Sequence, residues 1–227
     1  MASNAQDTTY RWLKNRIAAL PQSEGVFLSE SGLAAEAGVS RTPVREALLR
    51  LEAEGLLQIM PKKGAFVPPV SDAEVNATMQ ARVVVEQWAA AQVAVAPELL
   101  VDHLADLLRE QTELLDAGET RGFIEADRRF HRAIVLAAGN PVLADFYETL
   151  RDRQIRLGLK AVSAGPGRGQ EVIDEHTAIM TALRALDGPL AVTAVQTHLD
   201  NTLVALRQPG RSAAAMPWLA TVRSNPS

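Results

Sequence analysis

Leu33-Ala34-Ala35-Glu36-Ala37-Gly38-Val39-Ser40-Arg41-Thr42-Pro43-Val44-Arg45-Glu46-Ala47-Leu48-Leu49-Arg50-Leu51-Glu52-Ala53-Glu54-Gly55-Leu56 is the stretch on which the fold of the first third of the chain turns. Its apolar positions form two helical runs separated by Gly38. In the first, Leu33, Ala34 and Ala37 share one side, Ser29 stands where a side-chain oxygen caps a short helix, and Gly38 supplies the left-handed residue that ends it. In the second, from about Arg41 to Glu54, Val44, Leu48 and Leu51 line one face, Ser40 is placed to cap, and Gly55 ends the run. Pro43 fits because it lies in the first turn, where no intrahelical bond needs its missing N–H.

Upstream, Trp12, Leu13, Ile17 and Leu20 recur at helical spacing between Thr8 and Leu20, and Pro21 stops the run. Downstream, Leu56–Met60 and Ala65–Val67 read as short strands flanking Pro61-Lys62-Lys63-Gly64, a hairpin with a basic tip. Pro68-Pro69 then makes a stiff linker. Three short helices and a basic-tipped hairpin predict a winged helix-turn-helix over residues 1–70, with a small β-hairpin wing.

From Ser71 onward every stretch reads as helix, with runs at roughly 72–96, 97–116, 119–138, 141–163, 169–186 and 189–207. Gly118, Gly139-Asn140-Pro141, Gly165-Pro166-Gly167 and Gly188-Pro189 supply the breaks. Connections this short favour antiparallel neighbours. The expected fold is therefore mainly α: the winged domain at 1–70, an all-α antiparallel bundle of six to seven helices at 71–207, and a C-terminal tail at 208–227 with no periodicity.

Composition agrees. Of 227 residues, 47 % are hydrophobic but only 4 % aromatic, so the core must be built from Ala, Leu and Val, which favours packed helices. There is no cysteine, which removes disulfides, thiolate metal sites and Cys nucleophiles and suits a reducing compartment. The opening Met1-Ala2-Ser3-Asn4 leads into no apolar signal region, and no run is long enough to cross a membrane, so a cytoplasmic location without a membrane partner is expected. The net charge of −4 is unevenly shared: residues 1–70 carry eight Lys/Arg against seven Asp/Glu, and 71–227 carry fifteen against twenty. Contact with a polyanion is thus expected to be local to the first segment.

The ordered run Leu33-Ala34…Ala37-Gly38-Val39-Ser40-Arg41-Thr42-Pro43-Val44-Arg45-Glu46-Ala47-Leu48…Leu51…Gly55-Leu56 closely resembles the N-terminal domain of GntR-family transcription regulators, over roughly residues 8–67. Arg41, Thr42 and Arg45 project from the first turns of the third helix, opposite its apolar face, where a recognition helix meets the major groove of double-stranded DNA. Arginine there can fork onto guanine O6 and N7, while Thr42 and the helix-start amides can meet phosphate. Lys62 and Lys63 would reach the backbone or minor groove. For an isolated arginine pair the plainer reading is a solvated helix face.

All four histidines, at 103, 131, 176 and 198, fall in the second segment. Asp127 and His131 are i and i+4, one turn apart on one face of a helix, where they can share an ion. His176 and His198 lie on two later helices that a Gly-Pro turn brings side by side. Asp127…Phe130-His131-Arg132-Ala133-Ile134, Glu175-His176…Ile179 and His198-Leu199 resemble the ligand segments of the FCD domain of the FadR subfamily, over roughly 72–207. The resemblance implies that Asp127, His131, His176 and His198 converge on a divalent metal. The alternative is a buried polar cluster with its histidines hydrogen-bonded to one another. His103 has no counterpart and is expected to face solvent.

Imidazoles with one carboxylate suit zinc, nickel, iron or manganese, with zinc the first choice on availability. Arg82 and Glu86 match the family's Arg-x-x-x-Glu pair, in which the arginine clamps an acid ligand; the alternative is a surface ion pair between them, worth about 0.3–0.5 kcal/mol. Arg153 and Gln154 are further candidates for the same effector pocket. The resemblance implies a homodimeric repressor or activator on a near-palindromic operator, answering a small organic acid. A metal-dependent enzyme using the Asp-His-His-His set is the alternative from another class, but a winged domain has no use in catalysis, and no nucleophile or Gly-rich phosphate loop is evident. A metal-storage module would need neither Arg82 nor the winged domain.

Overall fold

A computed structural model describes residues 5–18, 20, 24–95, 98–162, 165 and 167–207. The chain folds into two compact units, Met1–Val70 and Ser71–Ser227. The expected tail at 208–227 lies outside the described residues.

The first unit runs α1 (Ala5–Ala18), β1 (Val26–Leu28), α2 (Glu30–Ala37), α3 (Arg41–Ala53), β2 (Gln58–Met60), β3 (Gly64–Val67). The Ser29 hydroxyl accepts from the Gly32 N–H at 3.0 Å, opening α2, and Gly38 at φ 66° closes it. Ser40 flanks α3 in extended conformation but makes no side-chain capping bond, contrary to expectation. Because Pro43 brings no N–H to the first turn, fewer orphan donors await a cap there. Leu13, Ile17, Leu33, Val44, Leu48, Leu51, Leu57, Ala65 and Val67 form one buried cluster, so the apolar faces read from the sequence do meet.

Both ends of α1, the start of β2 (Gln58 where Leu56 is expected) and one strand depart from the sequence expectation. α1 begins at Ala5 and ends at Ala18, where the spacing predicts Thr8 to Leu20. Val26-Phe27-Leu28, to which the sequence assigns no element, is a strand, and the sheet has three antiparallel strands in the order β1-β3-β2, with Phe27 opposite Phe66 and Ile59 opposite Ala65. Three residues are too few to display a period of two. The strand forms because it pairs the edge of β3 that a two-stranded wing would leave open.

Every regular element among the described residues of the second unit is a helix: α4 (Asp72–Val93), α5 (Glu98–Asp116), α6 (Thr120–Ala137), α7 (Pro141–Thr149), α8 (Arg151–Val162), α9 (Arg168–Arg184), α10 (Gly188–Arg207). Ser71 caps α4 by accepting from the Glu74 N–H, and Asn140 caps α7 with Pro141 in its first turn. α10 packs along α4 and α9, α5 along α6 and α9, and α6 against α4 and α8, which sets α6, α9 and α10 around a common interior. The expected helix 141–163 is two helices: the chain tightens at Leu150, whose N–H donates to Tyr147 O, and the Leu150 side chain enters the core. No glycine or internal proline marks that break. The turn before α10 is also differently made: Leu186 takes the left-handed conformation at φ 58°, and Gly188 is already the first residue of the helix. Among the described residues no helix is long and apolar enough to cross a membrane.

Candidate metal centre and nucleic-acid interface

α6 presents Asp127 and His131 from successive turns, α9 presents His176 and α10 presents His198. One ligand atom from each lies within 4.8 Å of the others. His131 Nε2 is 3.1 Å from both His176 Nε2 and His198 Nε2, and Asp127 Oδ1 is 3.5 Å from His176 Nε2. All three imidazoles are buried, and Phe130 stacks on His176 with ring centroids 4.3 Å apart.

Hydrogen bonds hold two of the rings from behind, and a carboxylate faces the third. His176 Nδ1 faces Gln111 Oε1 at 2.9 Å, His198 Nδ1 faces Glu175 Oε2 at 2.7 Å, and His131 Nδ1 faces Glu86 Oε2 at 2.9 Å. The hydrogen bonds at His176 and His198 place the ring proton on Nδ1, and at His131, whose Nδ1 lies 2.9 Å from the Glu86 carboxylate without hydrogen-bond geometry, the negative charge favours a proton there over a lone pair, which leaves three Nε2 lone pairs directed at one another. Lone pairs 3.1 Å apart repel. In the alternative cluster, a proton moved to His131 Nε2 could serve only one of its two neighbours, and it would turn the Nδ1 lone pair onto the Glu86 carboxylate. A cation removes both conflicts. Two donors each about 2.0–2.1 Å from one ion are about 2.9–3.4 Å apart at octahedral or tetrahedral angles, a range that holds the 3.1 Å imidazole spacings, with Asp127 a little outside it at 3.5 Å. The residues present therefore fit a divalent ion.

The electrostatics follow from burial and these partners. Burial lowers the His176 pKa well below its usual value, reinforced by His198 and His131, so the ring stays neutral and able to ligate. Burial likewise lowers His198, opposed by the bond to Glu175. For Glu175 burial acts upward, but His198 and Arg168 outweigh it and bring the carboxyl down to about 2. Burial would also raise Glu86, and Arg82 and His131 reverse that, holding it far below the usual carboxylate range.

Arg82 and Glu86 do form the intrahelical pair, at 2.6 Å between Nε and Oε1, but both are buried rather than on the surface. Glu86 also accepts from the buried Tyr147 hydroxyl at 2.6 Å. It thus stands behind His131 as well as beside Arg82. Arg82, Asp127 and His198 line a small cavity of about 20 Å³ together with Gln154, Arg168 and Thr202 and the apolar Ile124 and Leu157. Arg153, one residue from Gln154, is not among its lining residues, because adjacent helical positions point about 100° apart. His103 is exposed, as expected.

In the first unit, Arg41, Thr42, Arg45, Lys62 and Lys63 are all exposed, whereas Val44, Ala47, Leu48 and Leu51 of the same helix as the arginines are buried. Lys62 occupies the hairpin tip in a left-handed conformation, φ 65°.

Residues 5–67 match the bacterial regulatory proteins of the gntR family, and residues 77–201 match the FCD domain. The chain belongs to the GntR family and carries an FCD domain. An HTH-type transcriptional regulator from an unstable DNA locus of Streptomyces ambofaciens is 34 % identical over 195 residues, covering 84 % of this chain and 80 % of that protein. The HTH-type transcriptional repressor RspR of Escherichia coli K12 is 29 % identical over 203 residues, 88 % and 87 % of the two chains. The structure of McbR/YncC from E. coli superposes with a TM-score of 0.73 at 25 % identity, over 90 % of this chain and 98 % of that one. These relatives are transcription regulators, not enzymes, and the GntR helix-turn-helix is a DNA-binding module. The GntR-family chain is accordingly a DNA-binding transcription regulator.

Sequence spacing does not single out Gln111, Tyr147, Arg168 or the role of Glu175, and it assigns Glu86 to the effector. Glu175 carries a signal, since it directly precedes His176. Gln111 carries none: a single neutral residue on α5 acquires its role only when α5 packs on α9.

Proposed function

We propose that this GntR-family regulator binds a near-palindromic operator as a homodimer, and that its FCD domain holds one divalent ion and answers a small carboxylate effector in the cytoplasm. Residues 1–70 are the DNA-binding domain and residues 71–207 the effector-binding and dimerisation domain. The observation that carries the reading is the convergence of three Nε2 atoms whose Nδ1 atoms all face oxygen acceptors, since that arrangement is unfavourable without a cation. Asp127, His131, His176 and His198 hold the ion, zinc being the first choice and nickel, iron or manganese the others. When bound, it supplies a Lewis-acid site for a carboxylate oxygen.

The chain's own residues do the rest. Glu86 engages Nε and Nη2 of Arg82, which leaves Nη1 for an acid that enters the cavity. Arg41 and Arg45 read base edges, Thr42 meets phosphate, and Lys62 and Lys63 neutralise the backbone. The acidic helical unit, repelled by DNA, is the natural place to join two chains, and the exposed Val84 and Val204 on the packed helices α4 and α10 give it apolar surface for that purpose.

An acid that favours one spacing of the two winged domains shifts operator affinity by the coupling free energy, typically about 1–3 kcal/mol. The test combines elemental analysis of chelator-free protein with operator titrations in the presence of candidate acids, for wild type, His176→Ala and Arg82→Ala. The expected outcome is about one ion per chain in wild type, its loss in His176→Ala, and an unresponsive Arg82→Ala that keeps its ion. Metal-free wild type that still answered its acid fully would overturn the reading.

A further inference from the structure

Among the described residues of the first unit two large apolar side chains are exposed, Phe27 at 56 % and Leu49 at 52 %. Phe27 is accounted for by its ring partner Phe66, whose centroid lies 4.7 Å away. Leu49 belongs neither to the buried cluster nor to the apolar residues packed against it. Its place on α3 gives the exposure a meaning. At about 100° per residue, Leu49 falls between Arg45 and Thr42 around the helix axis, with Arg41 and Glu46 outside them and the buried Val44, Ala47 and Leu51 on the far side. The other charged side chains in the second half of α3 and at its C-cap are turned onto the protein. Arg50 pairs with Asp7 and lies over the Tyr10 ring, Glu52 accepts from the Ile59 N–H, and Glu54 binds Lys14 and the Tyr10 hydroxyl. By contrast, the side chains of Arg41, Thr42, Arg45 and Glu46 make no hydrogen bond or ion pair among the described residues. Leu49 therefore stands in the middle of the face of α3 whose polar groups are left for a partner.

We propose that Leu49 is a specificity-determining residue of the recognition helix, reading the 5-methyl group of a thymine in the major groove of the operator. The proposal rests on the assignment of α3 as the recognition helix and adds to it.

Chemistry and reach both select that group. Among the donors and acceptors that base pairs present in the major groove, the thymine methyl is the apolar feature, and leucine can neither donate nor accept. A lysine or arginine at this position would strengthen binding to any duplex through phosphate charge. Leucine adds no such general affinity in a unit of eight basic and seven acidic residues, so its contribution depends on the base it meets. Leu49 follows Arg45 by about one turn, or about 6 Å along the helix axis. When the Arg45 guanidinium forks onto a guanine, the methyl within reach of Leu49 lies inside about two base steps of 3.4 Å. Base contacts come mainly from the first turns of such a helix, and Leu49 extends that reading surface by one turn. Taking a single methyl group out of water favours binding about fourfold, enough to set a base preference without dominating affinity.

The test selects the best-bound duplex from a random pool with the full-length protein and then replaces each thymine in turn by deoxyuridine, which lacks only the methyl. At one thymine for each bound recognition helix, within about two base pairs of the guanine whose readout Arg45→Ala removes, deoxyuridine should weaken wild-type binding about fourfold. Leu49→Ala should bind the thymine and deoxyuridine duplexes equally. Because no charge changes, its slope of log K against log salt should stay at the wild-type value. Leu49→Gln, whose amide can bond adenine N6 and N7, should exchange the thymine preference at that position for adenine, and it carries the same test if Leu49→Ala fails to fold. Wild-type binding that ignores every deoxyuridine replacement overturns the proposal and leaves the recognition helix standing. A methyl effect that survives in Leu49→Ala also overturns it and would seat Leu49 against protein instead of a base. If Arg45→Ala keeps the wild-type base preferences, the recognition-helix assignment falls and the role of Leu49 with it.

Discussion

Behind each converging imidazole stands one oxygen, and for His176 it is the neutral amide of Gln111 at 2.9 Å. Gln111→Met keeps the volume and removes the acceptor. The buried Nδ1–H left unpaired should lower folding stability by about 1–3 kcal/mol, and loss of an outer-shell partner should weaken metal binding by about 10–100-fold. Chelator competition and thermal melts of metal-free protein separate the two effects. Unchanged metal affinity in a destabilised variant would reduce Gln111 to a packing role. That Asp127, His131, His176 and His198 come together was legible through the FCD resemblance, with which the one-turn spacing of Asp127 and His131 and the short turn between the helices of His176 and His198 agree. The oxygens behind the rings were not, since Glu86, Gln111 and Glu175 come from α4, α5 and α9 and meet the histidines only through packing that no spacing encodes.

Gly64 decides whether the wing sheet closes. Its φ is 102°, and a Cβ there would lie 2.3 Å from the Leu28 carbonyl oxygen, a backbone atom fixed by the β1–β3 ladder. Gly64→Ala therefore meets both a conformational penalty and a clash that no side-chain motion relieves. It should cost well above the roughly 1 kcal/mol of an ordinary glycine replacement. The melting transition of the winged unit should fall and operator affinity with it, while the metal content of the FCD domain stays at the wild-type level; a wild-type melt would show that β1 does not pair in solution. At this scale the long amphipathic helices were legible, because each repeats its apolar stripe over several turns. β1 and the α7–α8 junction were not: a three-residue strand shows no period, and Leu150 bends the chain with an apolar residue that reads as continuing helix. Leu186 likewise takes a left-handed turn close to a glycine that signals it more strongly.

For the molecule as a whole, DNA binding has to work with little charge to spare, since residues 1–70 carry eight basic against seven acidic side chains. Affinity then rests on a few placed cations, and individual ones can be counted by salt dependence. Every phosphate contact contributes about 0.9 to the slope of log K against log salt on duplex DNA. In a two-fold dimer Lys62→Ala removes the same contact from both half-sites. The slope should fall by about 1.8 for a dimer and by about 0.9 for a monomer, with specificity for the operator unchanged. Arg45→Ala should act differently: it removes a base-edge contact, so specific binding should drop by about 1–3 kcal/mol for each half-site while binding to unrelated DNA changes little. Sedimentation supplies the independent measure of stoichiometry, with about twice the 24.5 kDa chain mass expected. Should Lys62→Ala change the slope by only one contact while the protein sediments as a dimer, the wing of one protomer would be off the DNA, and the symmetric operator would have to be abandoned. A full two-contact loss in Lys62→Ala, joined to specificity loss in Arg45→Ala, would fix both winged domains on matched half-sites.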